Sequence, residues 1–297
     1  MQRHRDVHAA PERHHRHRRG VRAEPARRND RRDRARARDH HPVVPRLVLL
    51  AHPAVASAVS RELGRDLEYH NAIASTQTRA RELADAGATR GIVVANEQTA
   101  GQGTRGRTWV AAAGTSLLAS WILRPAPAAP ALFAALAGVA VARALATLGC
   151  EDASLKWPND VELDGRKVAG ALAHGSSDGR GGLLVIGIGV NVHQQELPAE
   201  IARTATSLAI AGHGVDRLAL LARITTELDR IESPAQQHAA MSEWRERSSL
   251  LGRDVAVRSA GRDFSGRADA IDDEGALLVH TSSGVERVIT GDVVVKH

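Results

Sequence analysis

Three glycines in six residues, within Gly101-Gln-Gly-Thr-Arg-Gly-Arg-Thr-Trp109, lie between two apolar runs of strand character at 91–95 and 115–123. That order of strand, glycine loop and strand limits the fold more than any other feature of the chain. The spacing Gly101-x-Gly103-x-x-Gly106 matches the dinucleotide-binding fingerprint. A doubly wound dinucleotide fold, however, needs a helix directly after the glycines and an acid about 20 residues on to hold the ribose. Here a strand-like run follows, and no Asp or Glu occurs between Glu97 and Glu151. A P-loop is excluded more simply, because no Gly-Lys-Ser/Thr is present. The glycines still let backbone N–H groups approach a ligand. Arg105 and Arg107 can grip phosphate oxygens in a bidentate fork, and Trp109 offers a flat face to a purine. Taken alone, the same residues also suit an ordinary surface turn.

The flanking pattern is mixed. Residues 75–86 open on a hydroxyl and stop at Gly87, as a capped helix does. Residues 130–148 form an alanine-rich helix ending at Gly149, and 183–192 a buried strand. The strands 154–157 and 167–173 are joined through Asp164-Gly165, a type I′ hairpin signal. Residues 216–248 read as two amphipathic helices broken at Ser233-Pro234. After Gly252 come short strands at 254–258, 264–271, 276–281 and 285–290, a small β-barrel that is plausible only when packed on a larger domain. The domain organisation expected is therefore an Arg/His-rich disordered extension over 1–60, a catalytic domain over 61–248 and a C-terminal barrel over 249–297.

Charge is unevenly placed. The net charge of +6 comes from residues 1–42, which hold 14 arginines and 6 acidic residues. The other 255 residues carry 26 basic and 28 acidic groups, so the body makes no electrostatic case for nucleic acid. Residues 1–42 cannot bury enough apolar surface to fold alone. They read as an inert solvated extension, as a basic arm touching nucleic acid or membrane, or as an over-extended start. Met1 and Met241 are the only methionines, so a later start would use a codon such as those of Val43, Val44 or Val48. Cys150 stands alone and reads as a core residue after the alanine-rich helix. The histidines lack metal-ligand spacing, so no metal ligand is assigned. No uninterrupted apolar run reaches the length of a membrane span, and a cytoplasmic location is expected.

Two further motifs carry chemistry. Lys156-Trp-Pro-Asn-Asp160 ends one strand and Lys167-Val-Ala-Gly170 opens the next, bringing an ammonium and an acid together across a hairpin. Such a pair suits adenylation, the lysine stabilising charge on a carboxylate and an α-phosphate. It equally describes a structural ion pair, worth little if exposed. Gly187-Ile-Gly-Val-Asn191 is a strand with two glycines and a terminal amide, and such an amide more often satisfies a turn than reads a base.

Together these motifs resemble the bacterial biotin–protein ligases, the biotin–acetyl-CoA-carboxylase ligases, in order over about residues 65–297. The resemblance rests on Ser75-Thr76, Gln98-Thr-Ala-Gly-x-Gly-x-x-Gly-Arg-x-Trp109, the two lysine motifs and the Gly187–Asn191 strand. It continues through Gly266, Ile271-Asp, Gly275-x-Leu-Leu and Gly291-Asp292-Val. It implies an α+β fold, a mixed sheet with flanking helices followed by a small SH3-like barrel. The implied reaction makes biotinyl-5′-AMP from biotin and MgATP, then passes biotin to a lysine of a biotin carboxyl carrier protein. By the same resemblance, Ser75, Thr76, Gln77 and Gln98 hold the biotin ring. Gly101, Gln102, Gly103, Thr104 and Gly189 complete that subsite. Arg105, Arg107 and Asn159 face ATP, Trp109 and Asn191 serve the adenine, and Lys167 touches both ligands. Lys167, Arg107 and Asp160 are the catalytic set, with Asp160 facing the incoming lysine.

The chain departs from the family at three places. Gln102 and Thr104 stand where the family loop has arginines, and Gln77 where it has asparagine. The third is the lack of a helix pair for DNA in residues 1–60, which implies a monofunctional enzyme without specific DNA binding. The resemblance leaves room for a homodimer. A lipoate–protein ligase, a biotin-responsive regulator and a non-catalytic biotin-binding module are the competing readings.

Overall fold

The computed structural model describes residues 46–177, 181–259 and 261–296. Its main sheet follows from a period-two split of apolar residues between two cores. In chain order its strands are β1 (Asp66–His70), β2 (Arg90–Ala95), β3 (Ser116–Leu123), β4 (Ser154–Lys156), β5 (Asp160–Leu163), β6 (Arg166–Ser176) and β7 (Leu183–Asn191). They lie in the order β1-β2-β3-β7-β6-β5-β4; β1 and β2 run parallel and every other neighbouring pair runs antiparallel. Ile92, Val94, Trp121, Leu123, Ile186 and Ile188 enter the larger core. Val93, Ile122 and Val185 enter the smaller one. Every residue of β3 is buried, as its continuous apolar run implies.

Helices cover both faces unequally. On the smaller side α2 (Thr76–Asp85) lays Ala80 and Ala84 on the sheet. Ser75 caps it, its Oγ accepting from the Thr78 amide at 3.4 Å. On the larger side lie α3 (Phe133–Thr147), α4 (Arg217–Ile231) and α5 (Pro234–Glu246). The stretch Pro130–Thr147 is long and apolar enough to cross a membrane by composition, yet Phe133, Leu136, Val139 and Ala140 are wholly buried in this core. Cys150 is buried as well, which pushes its thiol up to about 11.

The C-terminal segment forms β8 (Asp254–Ser259), β9 (Arg262–Ile271), β10 (Leu277–Thr281), β11 (Gly284–Val288) and β12 (Asp292–Val295), an antiparallel sheet ordered β11-β10-β9-β8-β12. Its Val255, Val257, Leu277 and Val279 are continuous with the larger core, which lets so small a unit be stable. Trp157 pins it in place, Nε1 donating to the Gly275 carbonyl at 2.9 Å.

Two expectations are corrected. The extension does not remain irregular to residue 60, because a 3₁₀ turn at Arg46–Ala51 leads into α1 (Pro53–Leu63). Pro53 occupies the first helical turn, where its missing N–H costs nothing, so it starts the helix. Leu47 and Leu50 lie in the larger core. The expectations for 1–45 fall outside the described residues. Secondly, Asp164-Gly165, both with positive φ (50° and 69°), joins β5 to β6 and not the 154–157 strand to the next. The hairpin type is right and its first strand is a different one.

Candidate functional site

A cavity of about 170 Å³ opens on the α2 side of the sheet, and strand register builds its floor. Across β3, β7 and β6, Ser120 lies opposite Gly187 and Gly187 opposite Leu172. Two residues along, Leu118 lies opposite Gly189 and Gly189 opposite Gly170. Glycine in these rows makes room for particular side chains. A β-carbon at Gly187 would lie 2.5 Å from Gln77 Oε1, and one at Gly189 2.7 Å from the Trp109 ring. One at Gly170 would lie 2.9 Å from Lys167 Nζ.

The Gly187 end is polar and uncharged. Gln98 Oε1 accepts from the Thr76 amide at 2.7 Å and from Thr76 Oγ1 at 3.0 Å. Ser120 Oγ lies 2.9 Å from Thr76 Oγ1 and donates to Gln77 Oε1 at 3.0 Å. Gln77 Nε2 donates to the Val185 carbonyl at 3.0 Å and lies 3.2 Å from His174 Nδ1. Desolvation of the ring, with Arg81 adding to it, holds the His174 imidazole below its ordinary range although the side chain reaches solvent, and a neutral Nδ1 accepts from Gln77 Nε2. The helix start that caps α2 thus also fixes Ser75, Thr76 and Gln77 at the cavity wall.

The Gly189 end is cationic. Lys167 Nζ lies 2.6 Å from Asp160 Oδ1 and 5.6 Å from the centroid of the Trp109 ring, within cation–π range. The backbone of Lys167 is clamped by the segment after β7, its N–H donating to Thr204 O and its carbonyl accepting from Thr206 N, both at 2.8 Å. The glycine loop closes over this end as a tight turn. Gln102 bridges to Thr108, and the Gly103 amide donates to Arg107 O at 2.7 Å. Arg105 takes a left-handed backbone (φ 57°). Among the described residues, Trp109 Nε1 is buried without a partner, a donor left for a ligand acceptor.

Of the residues singled out from sequence, Ser75, Thr76, Gln77, Gln98, Gln102, Gly103, Thr104, Arg107, Trp109, Asn159, Lys167 and Gly189 line the cavity. Asp160 stands behind Lys167, and Gly101 and Arg105 border the outer side of the loop. Asn191 does not line the cavity. Its Nδ2 donates to Thr206 O at 3.0 Å and its Oδ1 accepts from Gln194 Nε2 at 3.1 Å, so the amide is spent on a buried turn. Ser120, Leu118, Leu172 and Gly170 line the cavity too, and the signal the sequence offers for them is Ser120, a hydroxyl inside an apolar run. Asp292 of the Gly291-Asp292-Val motif pairs with Arg105 and Arg107, a contact its motif does not announce. Among the described residues no three His, Cys, Asp or Glu side chains gather as a metal site.

Residues 69–191 match the model of the biotin/lipoate A/B protein ligase family, and residues 250–296 that of the biotin protein ligase C-terminal domain. The bifunctional ligase/repressor BirA of Bacillus subtilis (strain 168) is 34% identical over 242 residues, 78% of this chain and 74% of that protein. The biotin–[acetyl-CoA-carboxylase] ligase of Paracoccus denitrificans is 32% identical over 232 residues, 74% of this chain and 96% of that protein. Among solved structures, the biotin protein ligase from Aquifex aeolicus in complex with biotin and ATP matches with a TM-score of 0.64 at 28% identity, covering 77% of this chain and 98% of that one.

Proposed function

The chain belongs to the biotin protein ligases of the biotin/lipoate A/B protein ligase family, and from that premise we propose how its own pocket carries out ATP-dependent biotinylation. The observation that carries the reading is the polarity of the cavity. Uncharged donors and acceptors at Thr76, Gln77, Gln98 and Ser120 end it on one side, and the Lys167 ammonium on the other. Biotin has the same polarity, a neutral ureido ring joined through an apolar bicycle and chain to a carboxylate. Gln98 Oε1 is occupied by Thr76, which leaves its Nε2 to donate to the ureido oxygen. Leu118 and Leu172 flank the apolar part.

The carboxylate then lies beside Lys167 and beneath the loop that carries Arg107. In the first half-reaction a carboxylate oxygen attacks the α-phosphorus of ATP, the α–β anhydride bond breaks, and pyrophosphate leaves. Lys167 and Arg107 oppose the charge that builds on the phosphoryl oxygens. Trp109 Nε1 and Asn159 offer donors to the nucleotide. In the second half-reaction a carrier lysine attacks the acyl carbon, AMP leaves, and Asp160 receives the amine proton. Magnesium needs only one or two carboxylates besides substrate phosphates, so it can travel on ATP. Asp160, the carboxylate at this end, is paired with Lys167, so the triphosphate itself would hold the metal. When bound, magnesium would neutralise the leaving pyrophosphate. We take the carrier to be a biotin carboxyl carrier domain and the cytoplasm to be where the two meet. Incubation with biotin, MgATP and such a domain should add one biotin to one lysine by intact mass, and none when ATP is withheld. Addition without ATP, or none with it, contradicts the reading.

A further inference from the structure

The loop that closes the cavity carries two cations and no anion. No acid occurs between Glu97 and Glu151, so any carboxylate facing Arg105 and Arg107 must come from elsewhere in the chain. It comes from the C-terminal sheet. Arg105 Nη2 lies 2.5 Å, and Arg107 Nη1 3.2 Å, from the same oxygen, Asp292 Oδ1. Both ends of this contact are built. Asp292 opens β12 and is held in register opposite Arg258 on β8. Gly291 before it approaches that strand so closely that a β-carbon would lie 2.9 Å from Arg258 O. On the loop, Arg105 adopts a left-handed backbone that side chains other than glycine rarely take. Arg107 is braced a second time, its Nη2 donating to Thr104 Oγ1 at 3.2 Å.

We propose that Asp292 is the resting counter-ion of the glycine loop, a positioning residue that holds Arg105 and Arg107 against the C-terminal sheet until the phosphates of ATP take them over. The proposal rests on the reading of Arg105 and Arg107 as phosphate ligands. Two adjacent guanidiniums repel each other unless an anion lies between them, and a single carboxylate meets that need in the free enzyme. A triphosphate carries more charge and takes the same donors bidentately. Asp292 therefore competes with ATP for the loop while keeping it ordered. The C-terminal sheet thereby responds to nucleotide at a cavity it does not line.

The two roles have separable readouts. Trypsin cleaves after arginine, so scission at the Arg105–Gly106 and Arg107–Thr108 bonds, followed by mass, reports how often the loop is released. Asp292→Asn should raise that scission in the free enzyme by about two- to fivefold, the range for an exposed ion pair. Asp292→Glu should restore the slow rate. With biotin and a non-hydrolysable ATP analogue bound, wild type and Asp292→Asn should be cut equally slowly. The KM for ATP should fall in Asp292→Asn because a competing anion is gone, while the KM for biotin stays put. Unchanged scission overturns the proposal. So does faster scission with a raised KM for ATP, since that is what simple loss of packing gives. An Arg107→Ala variant with unaltered KM for ATP overturns the phosphate reading itself, whatever the Asp292 variants do.

Discussion

Gly189 lies so close beneath Trp109 that a β-carbon at position 189 would approach the indole Cε2 to 2.7 Å. The middle strand of the sheet is therefore shaped around the loop's aromatic residue, and the cavity exists because strand and loop fit together. Gly189→Ala forces the ring away, a change of the kind that costs about 1–3 kcal/mol in packed sites. Adenylation should fall at least about tenfold, which corresponds to ~1.4 kcal/mol on the barrier. Thermal unfolding should change far less, because the clash falls on a loop side chain. Unchanged kinetics in a folded Gly189→Ala protein would remove the claimed fit.

Lys167 is held by Asp160 on one side and Trp109 on the other, with its backbone clamped by Thr204 and Thr206. Lys167→Gln should lower the rate of biotinyl-AMP formation by about 10²–10³-fold, the loss typical of one preorganised donor. Asp160→Asn should slow transfer to the carrier more than formation of the adenylate. Rapid-quench measurement of each half-reaction separates them, and equal losses in both would remove Asp160 from the second step.

Gln102 and Thr104 stand at the two loop positions where the resemblance expects arginines, and the structure shows what each side chain does. Gln102 Nε2 reaches Thr78 Oγ1 at only 3.4 Å, and Thr104 accepts from Arg107. Neither offers charge to an anionic intermediate. Biotinyl-AMP should leak from this enzyme, and Gln102→Arg with Thr104→Arg should lengthen its half-life roughly two- to tenfold, as expected for surface-exposed charge pairs. Equal half-lives would show that loop charge does not govern retention.

His174 links the biotin end to pH. Its folded value is depressed, so the folded protein favours the neutral ring and the stabilising contact is present above the unfolded value. The KM for biotin should be flat above about pH 6.5 and rise as pH falls below it, because protonated Nδ1 no longer accepts from Gln77. His174→Leu should flatten that rise. A rise that persists in the variant places the titrating group elsewhere.

The order of motifs made the catalytic fold legible, because capped helices and buried apolar strands announce themselves locally. Ser75 signals a helix start, and the structure uses the same start to aim Thr76 and Gln77 into the cavity. The three strands β1, β5 and β12 were not legible, being short and carrying polar or charged residues at sheet edges or in a tight turn. Helix α1 was hidden because Pro45 and Pro53 look like breaks, although Pro53 sits where a helix begins. For Asn191 the residue type alone favours a turn and the resemblance the adenine; the structure has the turn, closed on Thr206 15 residues away. The Asp292 contact was out of reach, the two charges being 187 residues apart in the chain.

The central claim is that this cavity activates biotin as an acyl adenylate, and biotin-dependent exchange of labelled pyrophosphate into ATP tests it without any carrier protein. Biotin and lipoate are to be offered separately to the purified chain. The account predicts exchange with biotin, little or none with lipoate, and loss of exchange in Lys167→Gln. Exchange with lipoate alone, or with neither acid, would contradict it.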